Sequence, residues 1–172
     1  YVLDSRSAGA EIALLVFRAC ELIAQGLPFE QVTQQLWLYH QHTHLLFLLE
    51  HVDNFVKNGR LNKLVAATIG MLGVRILGCA SEHGTLQPLM KPRGAARGLD
   101  LLVRELERAG YAGGQLAITH VQNEEGAARL ASLIREVWPG APCLLLPASG
   151  LCSYYGEKHG LIVGFEDGQA KN

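Results

Sequence analysis

Five consecutive residues, Leu45 to Leu49, are apolar without interruption. A half-exposed strand would alternate, and a surface helix would show polar gaps every few positions, so this run fits a strand covered on both faces. Such a strand needs a sheet and enough surrounding chain to bury it. The sequence supplies 172 residues, 49% of them hydrophobic and only 18% charged, which is enough for one packed domain and excludes intrinsic disorder. Fifteen Lys and Arg stand against sixteen Asp and Glu, a formal charge of −1, so no global basic field draws in nucleic acid. The longest near-continuous apolar stretch, Leu64 to Val74, contains Thr68, Gly70 and Gly73 and is about half a membrane span. The first residues lack the charged and apolar regions of a signal peptide. Cys20, Cys79, Cys143 and Cys152 show no CxxC spacing and read as free thiols of a reducing cytoplasm.

Helical stripes surround the apolar run. Ile12, Leu15, Val16, Ala19, Leu22 and Ile23 mark one helix, stopped by Gly26, and Pro28 opens a second lasting to about His42. A short amphipathic helix, Val52 to Lys57, breaks at Asn58-Gly59, and a further helix is expected from Leu61 to about Gly70. Val74 to Ala80 and Leu86 to Met90 read as a hairpin turning at Glu82-His83-Gly84. Leu99, Leu102, Val103 and Leu106 mark a helix ended by Gly110, and Gln115 to Thr119 is a strand. Asn123 caps the next helix, with Glu124 and Glu125 in its first turn and Ala127, Leu130, Ile134 and Val137 as its buried face. Cys143 to Leu146 and Leu161 to Phe165 are the last strands, separated by a loop from Pro147 to Gly160. The pattern is a single α/β domain, two-layered, with a mixed β-sheet covered by helices. Tyr1-Val2-Leu3 is strand-like and suggests that chain precedes it.

Most chemical constellations have plain readings. His40, His42 and His44 alternate as metal ligands on a strand would, but a helical stripe runs into them and nothing completes a motif. His120 at a strand end is expected to be structural. Ser149-Gly150 and Ser153 lack the GxSxG elbow, and Asn58-Gly59-Arg60 is no phosphate loop. Lys91, Arg93 and Arg97 form either a solvated face or a docking surface. No metal site and no cofactor is expected.

Several segments together resemble the DegV family of fatty-acid-binding proteins. Val2-Leu3-Asp4-Ser5-Arg6-Ser7-Ala8 is similar to the family's V-x-D-S-x-S-A. Phe47 to Lys63 resembles F-x-L-x-x-L-x-x-L-x-x-G-G-R-I-S-K, with Phe47, Leu49, Val52, Phe55 and Asn58-Gly59-Arg60 in register. Gly70 to Leu77 loosely matches G-x-L-L-N-I-K-P-I-L, and Lys91-Pro92-Arg93-Gly94 matches K-x-R-G. Ile118-Thr119-His120 with Asn123-Glu124-Glu125 is similar to the family's I-x-H and N-E-E. The resemblance implies a bacterial carrier that holds a long-chain fatty acid and presents its carboxylate to a fatty acid kinase catalytic subunit for acyl phosphate formation. The resemblance implies that the chain is not itself an enzyme. Arg60, with Gly59 before it, matches the arginine near the ligand carboxylate, and Arg93 matches one on the kinase-facing side. A guanidinium fork suits a carboxylate.

Two departures from the family pattern stand out. The better-known members place a histidine in a G-x-H-x-G-P-G loop, whereas His159 here is displaced, so Ser153, Tyr154 or Tyr155 is the candidate donor instead. The family also has a preceding lobe of roughly a hundred residues or more that carries hydroxyls for the carboxylate. This chain resembles the C-terminal lobe only, so by itself it is expected to bind fatty acid weakly and to self-associate through an apolar lobe-facing surface. Two rivals remain open: a kinase-like subunit related to dihydroxyacetone kinase, and an interaction domain with no lipid ligand.

Overall fold

The structure is a computed structural model that describes residues 1–61 and 73–170. Its centre is a six-stranded mixed sheet. In chain order the elements are α1 (Ala10–Ala24), α2 (Phe29–His40), β1 (Thr43–Leu49), α3 (Asp53–Lys57), β2 (Ile76–Ala80), β3 (Leu86–Met90), α4 (Ala95–Arg108), β4 (Tyr111–His120), α5 (Glu124–Val137), β5 (Cys143–Pro147), α6 (Gly150–Gly156) and β6 (Leu161–Asp167). The sheet order is β3-β2-β1-β6-β4-β5, antiparallel throughout except for the parallel pair β4–β5. The helix expected over Leu61 to Gly70 falls almost wholly outside the described residues.

The apolar run is the inner strand it was expected to be. β1 pairs with β2 on one side and β6 on the other, and Leu45 to Leu49 are all buried. Because strand side chains alternate, its two faces feed different cores. Leu46 and Leu48 join Leu116, Ile118, Leu161, Val163 and Phe165 under α4 and α5. Leu45, Phe47 and Leu49 point the other way, towards Val52 and Phe55. On that second face α1 sets Ala10, Leu14 and Leu15 against Ala117. Helices therefore stand on both faces of the mixed sheet rather than in one covering layer, as a strand buried on both sides demands.

Helix α1 can lie this close to the sheet because β6 offers Gly164 beneath it. A Cβ at Gly164 would sit 2.4 Å from the backbone nitrogen of Glu11 and 2.6 Å from the Ala10 carbonyl carbon. The contact buries Glu11, which accepts hydrogen bonds from the Ser7 hydroxyl and, at 2.7 Å, from the Thr43 hydroxyl, tying α1 to β1.

Differences from the sequence reading fall at element ends. α2 stops at His40, so only His44 of the three histidines lies in β1. Val74 makes only an isolated bridge to Arg93, and β2 begins two residues later. Tyr1-Val2-Leu3 is not a strand. The stripe of α1 is rotated: Ala10, Glu11, Leu14, Leu15 and Leu22 are buried, whereas Val16 and Ile23 are more than half exposed. Val137, expected inside, is half exposed at the last residue of α5. The region read as one loop from Pro147 to Gly160 contains α6.

His42 and His44 share one partner. His44 Nε2 lies 3.0 Å from the Asp167 carboxylate and His42 Nδ1 lies 3.3 Å from it, across the β1–β6 edge. Burial pushes the Asp167 carboxyl up, but hydrogen bonds from His44, the Gln169 backbone and His42 outweigh it and hold it below the usual range. A carboxyl lowered on folding stabilises above its unfolded pKa, about 3.9, and loses that contribution as pH falls through its folded value. Asp167→Asn is therefore expected to be less stable than the native chain at pH 5, with the gap closing below about pH 4. Urea midpoints at pH 5, 4 and 3 check this, and a gap that persists at pH 3 would contradict it.

Candidate functional site

The short helix α3 ends in a way that the sequence Lys57-Asn58-Gly59-Arg60 dictates. Gly59 has φ +66°, the left-handed region that favours glycine. Its N–H donates to the Val56 carbonyl at 3.0 Å, and the Arg60 N–H donates to the Phe55 carbonyl at 2.8 Å. These two bonds form a Schellman stop and throw the residue after the glycine off the helix end. Arg60 leaves that turn with its guanidinium carbon 4.9 Å from the centre of the Tyr155 ring. Tyr155 in turn stacks on Phe55, ring centres 4.7 Å apart. A column of Phe55, Tyr155 and Arg60 thus carries a cation from buried to exposed ground. Cation–π contacts of this kind contribute about 0.5–1 kcal/mol at exposed sites, so the column positions the arginine rather than locking it.

Helix α6 is fastened against this turn. Asn54 donates its backbone N–H to Glu157 Oε1 at 2.8 Å and its side-chain nitrogen to the Tyr154 carbonyl at 2.7 Å. The Asn58 side chain donates to the Tyr154 hydroxyl oxygen at 3.0 Å. Between α3, α6, β1 and the β2–β3 hairpin lies a cavity of about 510 Å³. Its floor is Leu45, Phe47, Leu49 and Phe55, all buried, while Gly59, Arg60, Thr85 and Leu151 on its rim are exposed. From α6 it receives Leu151, Cys152, Tyr155 and Gly156. Burial pushes the Cys152 thiol up, so this wall is neutral. The result is an apolar trough with one guanidinium at its lip. An amphipathic anion fits that arrangement: the chain on Phe47 and Phe55, the charge at Arg60.

Of the residues singled out from sequence, Gly59, Arg60 and Tyr155 come together here. Ser153 does not line the trough, and its hydroxyl donates to the Ala148 carbonyl at 2.7 Å. His159 lines a groove on the other face of the sheet, beside Leu48 and Asn123. Arg93 lies away from the trough, exposed just before α4, with Lys91 and Arg97 also exposed. His120 is buried and its Nδ1 accepts from the Asn123 backbone at 3.4 Å, a structural role. Asn123 caps α5 by accepting from the Gly126 N–H at 3.2 Å. Among the described residues no group of three metal-ligating side chains is assembled, and no helix is long and apolar enough to cross a membrane. The part that sequence reading missed is α6. Its signal was present in Leu151, Cys152 and Tyr155, an apolar set at helical spacing between Gly150 and Gly156.

The family model described as uncharacterised protein, DegV family, matches residues 1–161. The chain belongs to the DegV family. A DegV domain-containing protein of Streptococcus pneumoniae is 47% identical over 166 residues, covering 96% of this chain. Among solved structures, the Streptococcus pneumoniae fatty acid kinase B3 protein loaded with linoleic acid superposes with a TM-score of 0.94 at 47% identity, over 96% of this DegV chain. A DegV family protein from Eubacterium eligens loaded with heptadecanoic acid gives 0.93 at 37% identity, again over 96%. All are longer proteins: the chain spans 59% of both pneumococcal proteins and 60% of the Eubacterium one.

Proposed function

We propose that this DegV chain is the C-terminal lobe of a non-enzymatic fatty-acid carrier and supplies one wall of its lipid site. The observation that carries the reading is the apolar trough with Arg60 held over Tyr155 at its lip. Relatives with the same fold hold linoleic and heptadecanoic acid, which are long-chain acids with the chemistry the trough favours. Arg60 receives the carboxylate, and Gly59 frees the turn that aims it. Tyr155 supports the guanidinium, while Ser153 stays with the backbone it already serves. Each acyl methylene buried contributes about 0.8 kcal/mol, so the chain supplies most of the affinity and the arginine fixes which end faces out.

The exposed arginine near α4, Arg93, is the proposed contact with a fatty acid kinase subunit, which would act on the presented carboxylate. A kinase partner is suggested by the pneumococcal relative's designation as a fatty acid kinase B3 protein, and the choice of Arg93 rests on the family resemblance of Lys91-Pro92-Arg93-Gly94. The setting is cytoplasmic, in keeping with four free cysteines.

A trough with an exposed rim needs a second wall. The chain alone is therefore expected to retain little fatty acid. A two-lobed form, made by joining it to the part of the pneumococcal protein that it does not span, is expected to retain one per molecule. Native mass spectrometry with lipid extraction on both compares them directly. A two-lobed form that folds and carries no lipid would contradict the carrier reading.

A further inference from the structure

Phe47 and Gly78 are direct cross-strand partners in the β1–β2 pair. Gly78 carries no left-handed φ, so its backbone does not call for glycine. What it supplies is space. A Cβ there would sit 2.3 Å from Phe47 Cζ and 2.8 Å from Cε2. The aromatic ring therefore lies down over the bare backbone of β2, and its other side is floor of the trough. Phe47 lines the trough, so a ring lifted off β2 moves towards the space an acyl chain would take.

We propose that the Phe47–Gly78 pair is the selectivity element of this site: the glycine lets the ring lie flat, and the flat ring gives the trough the width that a bent, cis-unsaturated acyl chain needs. The inference rests on the carrier reading above. A straight saturated chain is a narrow rod, whereas a cis double bond offsets the two halves of the chain and widens the space it sweeps. Interiors are close-packed, so a shift of the ring by even the radius of a methyl group is felt by the chain lying on it. Phe47 acts on the ligand by contact, and Gly78 is a positioning residue that acts through it.

The test is competition between stearate and oleate, which share length and charge and differ in the bend. The two-lobed form is loaded from an equimolar mixture, and the bound ratio is read by extraction and mass spectrometry. Gly78→Ala is expected to lower the oleate-to-stearate ratio several-fold. Phe47→Leu, which removes the ring without adding bulk, is expected to raise it. The double variant is expected to match Phe47→Leu rather than Gly78→Ala, since the new methyl then has no ring to lift.

A Cβ at Gly78 also meets the Gln87 carbonyl oxygen at 2.5 Å, so Gly78→Ala is expected to lose stability as well. Phe47→Leu keeps the proposal falsifiable without it, and melting temperatures measured in parallel separate stability from selectivity. A ratio unchanged within twofold in Phe47→Leu overturns the selectivity proposal while leaving the carrier reading intact. A folded parent form that takes up neither acid overturns the carrier reading and this inference with it.

Discussion

Arg60→Gln in the two-lobed form is expected to lower fatty-acid affinity roughly 10- to 100-fold, the loss of about 1.5–3 kcal/mol that follows when a charged hydrogen-bond partner is removed. The effect arises from the turn more than from the residue alone. Gly59 ends α3, the Schellman bonds fix the departing backbone, and Tyr155 supports the guanidinium. A carboxylate arriving at the lip thus meets a fork of donors already positioned for it. Arg60→Lys keeps the charge but loses the fork and the planar stack, so it is expected to fall between the two. Tyr155→Leu keeps apolar bulk under the arginine and removes the ring face, with a smaller expected loss. Dissociation constants for a fluorescent fatty acid, measured on the three variants, give the ranking. Equal affinity in Arg60→Gln would show that the carboxylate is held elsewhere.

Gly164→Ala is expected to be strongly destabilising. The new carbon would lie 2.4 Å from the Glu11 backbone nitrogen, and backbone cannot swing aside as a side-chain tip can. Helix α1 would have to lift from β6, loosening the buried Glu11 that holds Ser7 and Thr43. Overpacking costs about 1–3 kcal/mol, and a clash with backbone puts this case at the upper end, about 3 kcal/mol. For a chain of this size that is a fall of roughly 6–12 °C in melting temperature. Ala117→Gly, opposite α1 on β4, serves as a comparison in which bulk is removed rather than added. A Gly164→Ala variant that melts within 2 °C of the parent, about the effect of 1 kcal/mol, would mean that α1 does not sit where the structure puts it.

The sheet was legible because its strands carry strong local signals. Leu45 to Leu49 could not be a surface element of any kind, and Ser81 to Leu86 carried a turn that its own hydroxyls close, Ser81 Oγ accepting from the Thr85 N–H at 3.1 Å. Less legible were the places where tertiary contacts decide. β4 starts at Tyr111, ahead of the expected Gln115, because Tyr111 pairs with Asp167 across a register shift that no local pattern encodes. Val16 and Ile23 look like core on a helical wheel, but α1 crosses the sheet at Gly164 and rolls them outward. At the site, Arg60 was marked by its resemblance to a family motif and not by any chemistry in its own neighbourhood. Its partner Tyr155 belongs to α6, far away in the chain, and a seven-residue helix between two glycines reads locally as a loop. Ser153 and Tyr155 were equal candidates in sequence. The fold separated them, because two positions along a helix are about half a turn, which sends the serine to Ala148 and the tyrosine to Arg60.

The most direct test of the account is the electron density of the two-lobed form crystallised with the fatty acid it retains. The account predicts an acyl chain lying along Phe47 and Phe55, with its carboxylate within hydrogen-bond distance of Arg60. A carboxylate bound away from Arg60, or a chain that leaves the Phe47 floor untouched, would contradict it.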